Sequence, residues 1–328
     1  MSGALGQGEM HTLARAKGAP GVPVTVTGLL GLPRIELELR PLTIIMGGPR
    51  SGKKSLLRSL YLYTWISQSA DAGWLVETLF PGLEKGFTVT AGSGRVEYRG
   101  RGKVYVEGEP AWRHAVLLPY TFLDLVRLLD NMAEFIESRD VDRRTLIGLG
   151  AILGILARTP VFTVFRRAFM LCNDIASLAP DTRSMSLGHH MVTRYQLLAF
   201  RRIIGKPPTC KSLSACPEDE VAYHVLERII DVLPRKSILL LEDPPFLVFG
   251  VKAPTDALRE RLLNDGVWVV MTLTLPRHLI KCHSHELGRV AENYLMTIGF
   301  TRADLEALKP AIYFVERSGD RLVYRLIS

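Results

Sequence analysis

The segment from Gly47 to Ser55, GGPRSGKKS, combines glycines with basic and hydroxyl side chains at a spacing that suits phosphate binding. Gly47 and Gly52 permit a tight turn whose backbone N–H groups point inward toward an anion. Lys53 can then reach the β- and γ-phosphates of a nucleotide, as in a P-loop. The predicted nucleotide-contacting residues are therefore those of the whole loop: Gly47, Gly48, Pro49, Arg50, Ser51, Gly52, Lys53, Lys54 and Ser55.

Lys54 stands where a P-loop normally places the hydroxyl that binds Mg²⁺. An ammonium is no metal ligand, and its charge repels the ion. Ser55 comes one residue later, rotated by about 100° on a helix, so we expect it to be a partial substitute as a metal ligand. The alternative for the whole segment is a Gly-rich loop that only connects a strand to a helix.

Two acidic residues, Glu242 and Asp243, follow the apolar run from Ile238 to Leu241. Buried carboxylates are costly, so two of them at the end of a buried strand are hard to explain by packing alone. In a P-loop site, an acidic residue at this position forms the second half of the site. We expect Glu242 to hold Mg²⁺ and Asp243 to orient or deprotonate the attacking water. The alternative is a solvated or helix-capping strand end.

The elements that position these residues follow from the apolar pattern. A continuous apolar run, Leu42–Met46, predicts a buried strand before the loop, and Leu56, Leu57 and Leu60 predict a helix after it. Strands and helices alternate in the last third of the chain, which indicates a largely parallel sheet covered on both faces. Further expectations are β hairpins over 87–108, helices over 122–178 and at 217–233, and a strand over 191–205.

Composition is compatible with a large core in one extended or two smaller α/β domains, with 328 residues, 47% of them hydrophobic. The longest apolar run is too short to span a bilayer and no secretory signal is visible, so we expect a cytoplasmic protein without membrane insertion. The scarcity of Asn and Gln suggests a thermophilic source, although a GC-rich genome also explains the arginine bias. The cysteines, Cys172, Cys210, Cys216 and Cys282, form no CxxC pair and are expected to be reduced.

Net charge is +8, which is compatible with nucleic acid or another anionic partner. Arg99, Arg101 and Lys103 lie in one predicted hairpin that could contact nucleic acid phosphates. The alternative is a charged, solvated edge strand that prevents aggregation.

Three stretches resemble, in order and spacing, the ABC-type ATPase heads of the SMC, RecF and OLD nuclease group: IELELRPLTIIMGGPRSGKKSLLRSLY, SLSACPEDEVAYHVLERIIDVLPRKSILLLEDPP and GVWVVMTLTLPRHL. The resemblance implies an α/β P-loop NTPase fold, with a mixed sheet flanked by helices, an antiparallel β subdomain and a helical insert. It implies ATP and Mg²⁺ as cofactors and a homo- or heterodimer of heads, in which Ser214 would contact the partner's γ-phosphate. The predicted segments are a tail at 1–21, an ATPase lobe at 22–120, a helical lid at 121–190 and a second ATPase lobe at 191–328.

The chain departs from the family at positions that serve hydrolysis. Lys54 replaces the metal-binding hydroxyl, Cys216 replaces the signature glycine, and Leu273 stands where the switch histidine belongs. The acidic pair is also Glu-Asp, where the family has Asp-Glu or Glu-Glu. Two functions follow: an ATP-binding, weakly hydrolysing head that acts on nucleic acid or a protein partner, or a degenerate scaffold that supports an active partner subunit.

Overall fold

The computed structural model describes most of the chain and divides it into two compact units. One unit comprises residues 1–117 and 233–328, and the other residues 118–232. The four-part division predicted from the sequence stays a prediction. The described residues are 21–29, 34–67, 76, 79–80, 83, 86–100, 103–119, 122–138, 141–156, 197–198, 200–202, 204–244, 253–276, 280, 284–318 and 321–327.

Eighteen helices and strands have defined bounds within the described residues. The strands are β1 (Val22–Thr27), β2 (Ile35–Leu39), β3 (Leu42–Gly47), β4 (Phe87–Ala91), β5 (Gly94–Tyr98), β6 (Val104–Glu107), β7 (His114–Leu118), β8 (Ser237–Leu241), β9 (Trp268–Thr274), β10 (Ala311–Ser318) and β11 (Arg321–Leu326). The helices are α1 (Lys53–Ile66), α2 (Phe122–Ser138), α3 (Arg143–Leu156), α4 (Glu218–Val232), α5 (Thr255–Asn264), α6 (Ser284–Thr297) and α7 (Arg302–Leu308).

A five-stranded sheet has the order β2-β1-β4-β5-β6, and all four of its pairings are antiparallel. Buried and exposed residues alternate in β2, as expected for a strand with one face on the core. The hairpins predicted over 87–108 are confirmed, and they form β4, β5 and β6 of this sheet.

A six-stranded mixed sheet has the order β11-β10-β3-β9-β8-β7. Strands β10, β3, β9 and β8 pair in parallel, and β11 closes the sheet as an antiparallel hairpin with β10. Every residue of β3 and β8 is buried, so the continuous apolar runs did predict central strands. With the antiparallel sheet and the helices, this confirms the predicted mixed α/β fold class.

Helix α1 lies in the core of the first unit, where it contacts β4 and β5 of one sheet and β3, β8 and β9 of the other. Most of its residues are buried for this reason, with Leu56, Leu60 and Tyr61 fully buried. The Tyr313 hydroxyl adds a second link between the sheets. It accepts a bond from the backbone N–H of Glu38 on β2 and donates one to the carbonyl of the same residue, each at 2.9 Å.

The second unit is helical in its described part, and it corrects one prediction. Residues 197–198, 200–202 and 204 are helical, so the strand predicted over 191–205 is wrong there. Leu197, Phe200 and Ile204 recur at helical spacing and are all buried, so packing decided the conformation against the local strand propensity. Gly205, with φ of 65°, ends the helix through a bond from its N–H to the carbonyl of Arg201.

The remaining helices agree with the sequence pattern where they can be compared. Helices α2 and α3 confirm the helical character predicted from residue 122, whereas 157–178 lies outside the described residues. Helix α4 begins at Glu218 with three acids in its first turn, which suits the positive end of the helix dipole. In the described part of the chain, no helix has the length and apolar character needed to cross a bilayer.

Candidate functional site

Three neighbouring strands bring the predicted site residues to one edge of the six-stranded sheet. Strands β3, β9 and β8 are parallel, so their carboxyl ends point the same way. The loop 48–52 follows β3, Glu242 and Asp243 follow β8, and Thr274 is the last residue of β9. The carboxyl edge of an open α/β sheet is the general position for ligand binding in such folds.

The loop has the backbone conformation that its glycines predict. Gly52 is left-handed, with φ of 81°, and it precedes the first turn of α1 without a side chain to cap it. Gly47 packs so closely that a Cβ would lie 2.5 Å from the carbonyl oxygen of Val315. Arg50 also has a positive φ, of 59°, and both it and Pro49 are exposed. The uncapped N–H groups at the start of α1 are therefore available to an anion.

Lys53 turns its side chain back into this loop. Its ammonium donates to the carbonyls of Gly47 and Gly48, at 2.9 and 2.7 Å, and to the Ser51 hydroxyl at 3.0 Å. The residue is only 3% exposed, and this burial lowers the pKa of Lys53 from 10.5 to about 8. The nearby charge of Asp243 opposes the shift and that of Lys54 adds to it. The loop therefore contains a buried cation at its centre.

Glu242 is buried and ion-paired. Arg58 Nε lies 3.1 Å from its Oε1, and Lys54 Nζ lies 3.9 Å from its Oε2. Burial raises the pKa of Glu242, while both cations act in the opposite direction. Arg58 also donates to the carbonyl of Leu79 at 3.4 Å, which fixes its orientation.

Asp243 is held by two threonines of the neighbouring strand β9. Its backbone N–H donates to the Thr272 hydroxyl at 3.1 Å, and the Thr274 hydroxyl lies 3.0 Å from both carboxylate oxygens. Asp243 is buried and has a φ of 44°, which few non-glycine residues adopt. Leu273 lies between the two threonines and is buried. Side chains alternate along a strand, so it belongs to the opposite face.

Sequence reasoning missed Thr272, Thr274 and Arg58 as members of this site. The two threonines are two apart at the end of an apolar strand, and such spacing puts both hydroxyls on one face. Arg58 is four residues after Lys54, so the two cations share one face of α1. Both spacings can be read from the sequence, but the residues that these side chains contact follow only from the order of the strands in the sheet.

The donor set can be tested for its fit to Mg²⁺. Lys54 Nζ lies 3.3 Å from Asp243 Oδ2 as well as close to Glu242. An ion bound to that oxygen at about 2.1 Å could be at most about 5.4 Å from the ammonium, because the distances 2.1 and 3.3 Å add along a line. Ser55, the predicted hydroxyl ligand, is half-buried on α1. These residues do not fit a divalent ion unless Lys54 moves away.

Ser214 belongs to the second unit, on the exposed part of the segment between Cys210 and Cys216. Its hydroxyl lies 3.1 Å from that of Ser212. From α2, the Asp130 carboxylate accepts a bond from the Leu213 N–H at 3.2 Å, which anchors the segment. Ser214 therefore stays a predicted nucleotide contact on a well-anchored loop.

The cysteines of this segment correct the prediction of reduced thiols. Cys210 and Cys216 form a disulfide, with a separation of 6 residues and Cα atoms 5.5 Å apart. Two tight turns, from Ala215 N–H to the Ser212 carbonyl and from Cys216 N–H to the Leu213 carbonyl, bring the two residues together. The disulfide does not require a CxxC motif, because the fold of the loop brings the two cysteines within bonding distance.

The basic hairpin carries its own counter-charges. Arg95 and Arg99 pair with Glu97 at 3.0 and 2.6 Å, and Arg99 stacks 4.1 Å from the centre of the Tyr105 ring. Lys103 is exposed immediately before the edge strand β6, and Arg101 lies outside the described residues. These pairs favour the charged edge strand over a nucleic-acid surface, and nucleic-acid binding stays a prediction.

No protein-family model matches the chain, and no curated protein matches it. Several solved structures are similar to the chain. One is the Smc head domain of Pyrococcus furiosus bound to the C-terminal domain of ScpA, with 10% identity over 93% of this chain and 96% of that one, at a TM-score of 0.40. Another is the SMC head domain from Thermotoga maritima, with 12% identity, 93% and 98% coverage and a TM-score of 0.39. A third is RecF with ATP, with 12% identity, 80% and 94% coverage and a TM-score of 0.34. SMC heads and RecF belong to the group of proteins that the sequence motifs resemble.

Proposed function

We propose that this chain is an ATP-binding head of the ABC type, which holds the nucleotide's phosphates in the loop between β3 and α1. The observation that supports this is the Lys53 ammonium, buried at the centre of the loop with three oxygen acceptors around it. A buried cation is costly unless it is compensated. A phosphate would compensate it better than neutral carbonyls do, since charge-assisted hydrogen bonds are the stronger ones.

The proposed mode of action is nucleotide-dependent pairing of two heads, of the same or different chains. Ser214 lies exposed in the segment that, by the resemblance to ABC-type heads, would contact the partner's γ-phosphate. The anchor from Asp130 and the disulfide hold this segment in one conformation, which lowers the entropic cost of an ordered contact.

Hydrolysis is proposed to be slow. Asp243, the predicted base, already has a Thr274 hydroxyl against both carboxylate oxygens and Lys54 at 3.3 Å. An attacking water would have to compete with these hydroxyl and ammonium donors for the carboxylate oxygens. The same contacts favour the second candidate function, a scaffold that supports an active partner without turnover.

Calorimetric titration with ATP at pH 7 tests the proposed binding. Replacing Lys53 by Ala should weaken binding by about 10- to 100-fold, which corresponds to the loss of charged hydrogen bonds worth about 1.5–3 kcal/mol. The matched control is Lys103→Ala, at an exposed lysine just before β6, which should bind as the parent does. Thermal unfolding of both variants confirms that they fold. Absence of heat from the parent protein, with every nucleotide form tried, would exclude the proposal.

Two further measurements separate the head from the scaffold. Sedimentation with and without ATP should show ATP-dependent pairing, and Ser214→Arg should abolish the pairing without changing ATP affinity of the separate head. Phosphate release should fall in Asp243→Asn if Asp243 is the base. Equal release from the parent and the variant would remove Asp243 from that role and favour the scaffold.

A further inference from the structure

The two acidic residues at the end of β8 are each contacted by a cation from α1. Lys54 Nζ lies 3.3 Å from Asp243 Oδ2, and Arg58 Nε lies 3.1 Å from Glu242 Oε1. The two formal negative charges are therefore balanced by two formal positive charges within the same unit. A P-loop site that uses a metal needs its acids free to hold the ion through oxygen or water.

This pairing is built into the first unit of the fold. Glu242 and Asp243 are 3% and 7% exposed, so bulk water cannot solvate the negative charge of either carboxylate. Lys54 and Arg58 are four residues apart, one turn of α1, and both side chains face the same strand end. The bond from Arg58 to the Leu79 carbonyl and the bonds of Asp243 to Thr272 and Thr274 fix both sides of the arrangement.

We propose that Lys54 takes the place of the divalent cation, so that the site binds the polyphosphate of a nucleotide without Mg²⁺. This inference rests on the proposed nucleotide binding. The Lys54 side chain is 44% exposed, so its ammonium can contact a ligand while it remains near the acids. The positive charge that a metal would bring to the phosphates comes from Lys54 and Lys53, and the acids orient Lys54 rather than an ion.

If Lys54 replaces the metal, the form of the nucleotide that binds is the free anion, without Mg²⁺. A magnesium ion bound to the phosphates adds two positive charges beside an ammonium that the protein cannot remove, because Lys54 is part of the chain. Free ATP should therefore bind at least as tightly as its magnesium complex. A protein that uses the metal behaves in the opposite way, with affinity lost on chelation.

Calorimetric titration of the full chain with ATP, once in EDTA and once in excess Mg²⁺, tests this inference. The parent protein should bind in EDTA with a Kd no larger than in Mg²⁺. Lys54→Ser restores a hydroxyl and removes the charge, and we expect it to bind about tenfold more weakly in EDTA than in Mg²⁺. Lys54→Gln removes the charge without offering a short hydroxyl, and we expect it to bind weakly in both conditions.

The outcomes separate this inference from the proposed function. Parent binding that occurs in Mg²⁺ and disappears in EDTA overturns the inference and leaves nucleotide binding intact. Absence of binding in both conditions excludes the proposed function itself. Thermal unfolding of the Lys54 variants controls for folding. A second readout is electron paramagnetic resonance of Mn²⁺ titrated together with ATP, which reports directly whether the metal contacts the protein. The parent should leave Mn²⁺ free of protein contacts, whereas Lys54→Ser should immobilise it.

Discussion

The Thr274 hydroxyl lies 3.0 Å from both carboxylate oxygens of Asp243, so the end of β9 fixes the acid that follows β8. Thr274→Val keeps the shape and removes the hydroxyl. We expect a loss of about 1 kcal/mol in the free energy of unfolding, which is less than the usual value of about 1.5–3 kcal/mol for a hydrogen bond to a charged group because Thr274 is exposed. Urea denaturation measures the change. Thr90→Val, at a half-buried threonine on β4, is the control, and an equal loss there would show that the bond to Asp243 contributes nothing specific.

Nucleotide affinity should fall as the pH rises above about 8. The pKa of Lys53 is lowered to about 8, so the free protein loses this charge at higher pH, and phosphate binding must then restore the proton. If only the protonated form binds, the Kd is raised by a factor of about 33 at pH 9.5 and of about 1.1 at pH 7, so the Kd should be about 30-fold larger at pH 9.5. Calorimetry across this range checks it, and a flat profile in the parent would contradict the lowered pKa.

Stability of the free protein should change with the opposite sign over the same range. The unfolded chain keeps Lys53 protonated up to about its ordinary pKa of 10.5, whereas the folded state releases the proton near pH 8. The unfolded state therefore binds more protons between these values, and the contribution of Lys53 to the free energy of unfolding rises with pH. Comparing the parent with Lys53→Met by denaturation at pH 7 and pH 9.5 isolates this contribution. A difference between the two proteins that stays constant with pH would show that Lys53 does not titrate there.

Removing the Tyr313 hydroxyl should destabilise the first unit. Tyr313→Phe loses both bonds to the backbone of Glu38 and leaves groups on β2 without these partners. We expect a loss of about 1–3 kcal/mol, the range for leaving a partly buried polar group unpaired. Guanidinium denaturation followed by Trp fluorescence is suitable, because Trp112 and Trp268 are in edge-to-face contact in this unit. Tyr105→Phe, at a residue that is 45% exposed, is the control and should change little.

Breaking the Cys210–Cys216 disulfide should loosen the segment that carries Ser214. Closing so short a loop is worth about 2 kcal/mol in the chain-entropy account, so Cys216→Ala should lose about that much stability under non-reducing conditions. Reductant should lower the stability of the parent and leave the variant unchanged. Alkylation of the denatured, unreduced parent followed by peptide mapping is a direct check. Modification of both Cys210 and Cys216 in that experiment would show that the bond does not form.

Local patterns predicted most of the fold because each depends on residues close in sequence. The run Leu42–Met46, the loop after it and the leucines of α1 are contiguous, and the hairpins over 87–108 alternate clearly. The segment with helical residues at 197–198, 200–202 and 204 was mistaken for a strand because its sequence includes branched residues, such as Ile204, that favour strands locally. There, burial at helical spacing overrode the local preference.

Only some members of the candidate site, and none of its contacts, could be identified from the sequence. Glu242, Asp243 and Lys54 were each identified by position in a motif, while the pairing of Lys54 with both acids depends on residues 188 and 189 positions away. Only the order of the strands, with β9 between β3 and β8, shows which side chains meet. Cys210 and Cys216 were wrongly predicted to be reduced for the same reason, since their proximity is a property of the folded loop.

Helix α1 is the common core of both sheets, and it begins at the loop that we propose holds phosphate. The two sheets cannot separate without exposing the apolar surface of this helix to water. A ligand held at its first turn therefore opposes every opening that displaces α1, by RT ln(1 + [L]/Kd). The antiparallel sheet would thus share in this protection: amide hydrogens of β4 and β5 should exchange more slowly when nucleotide is present, although neither strand contributes to the loop.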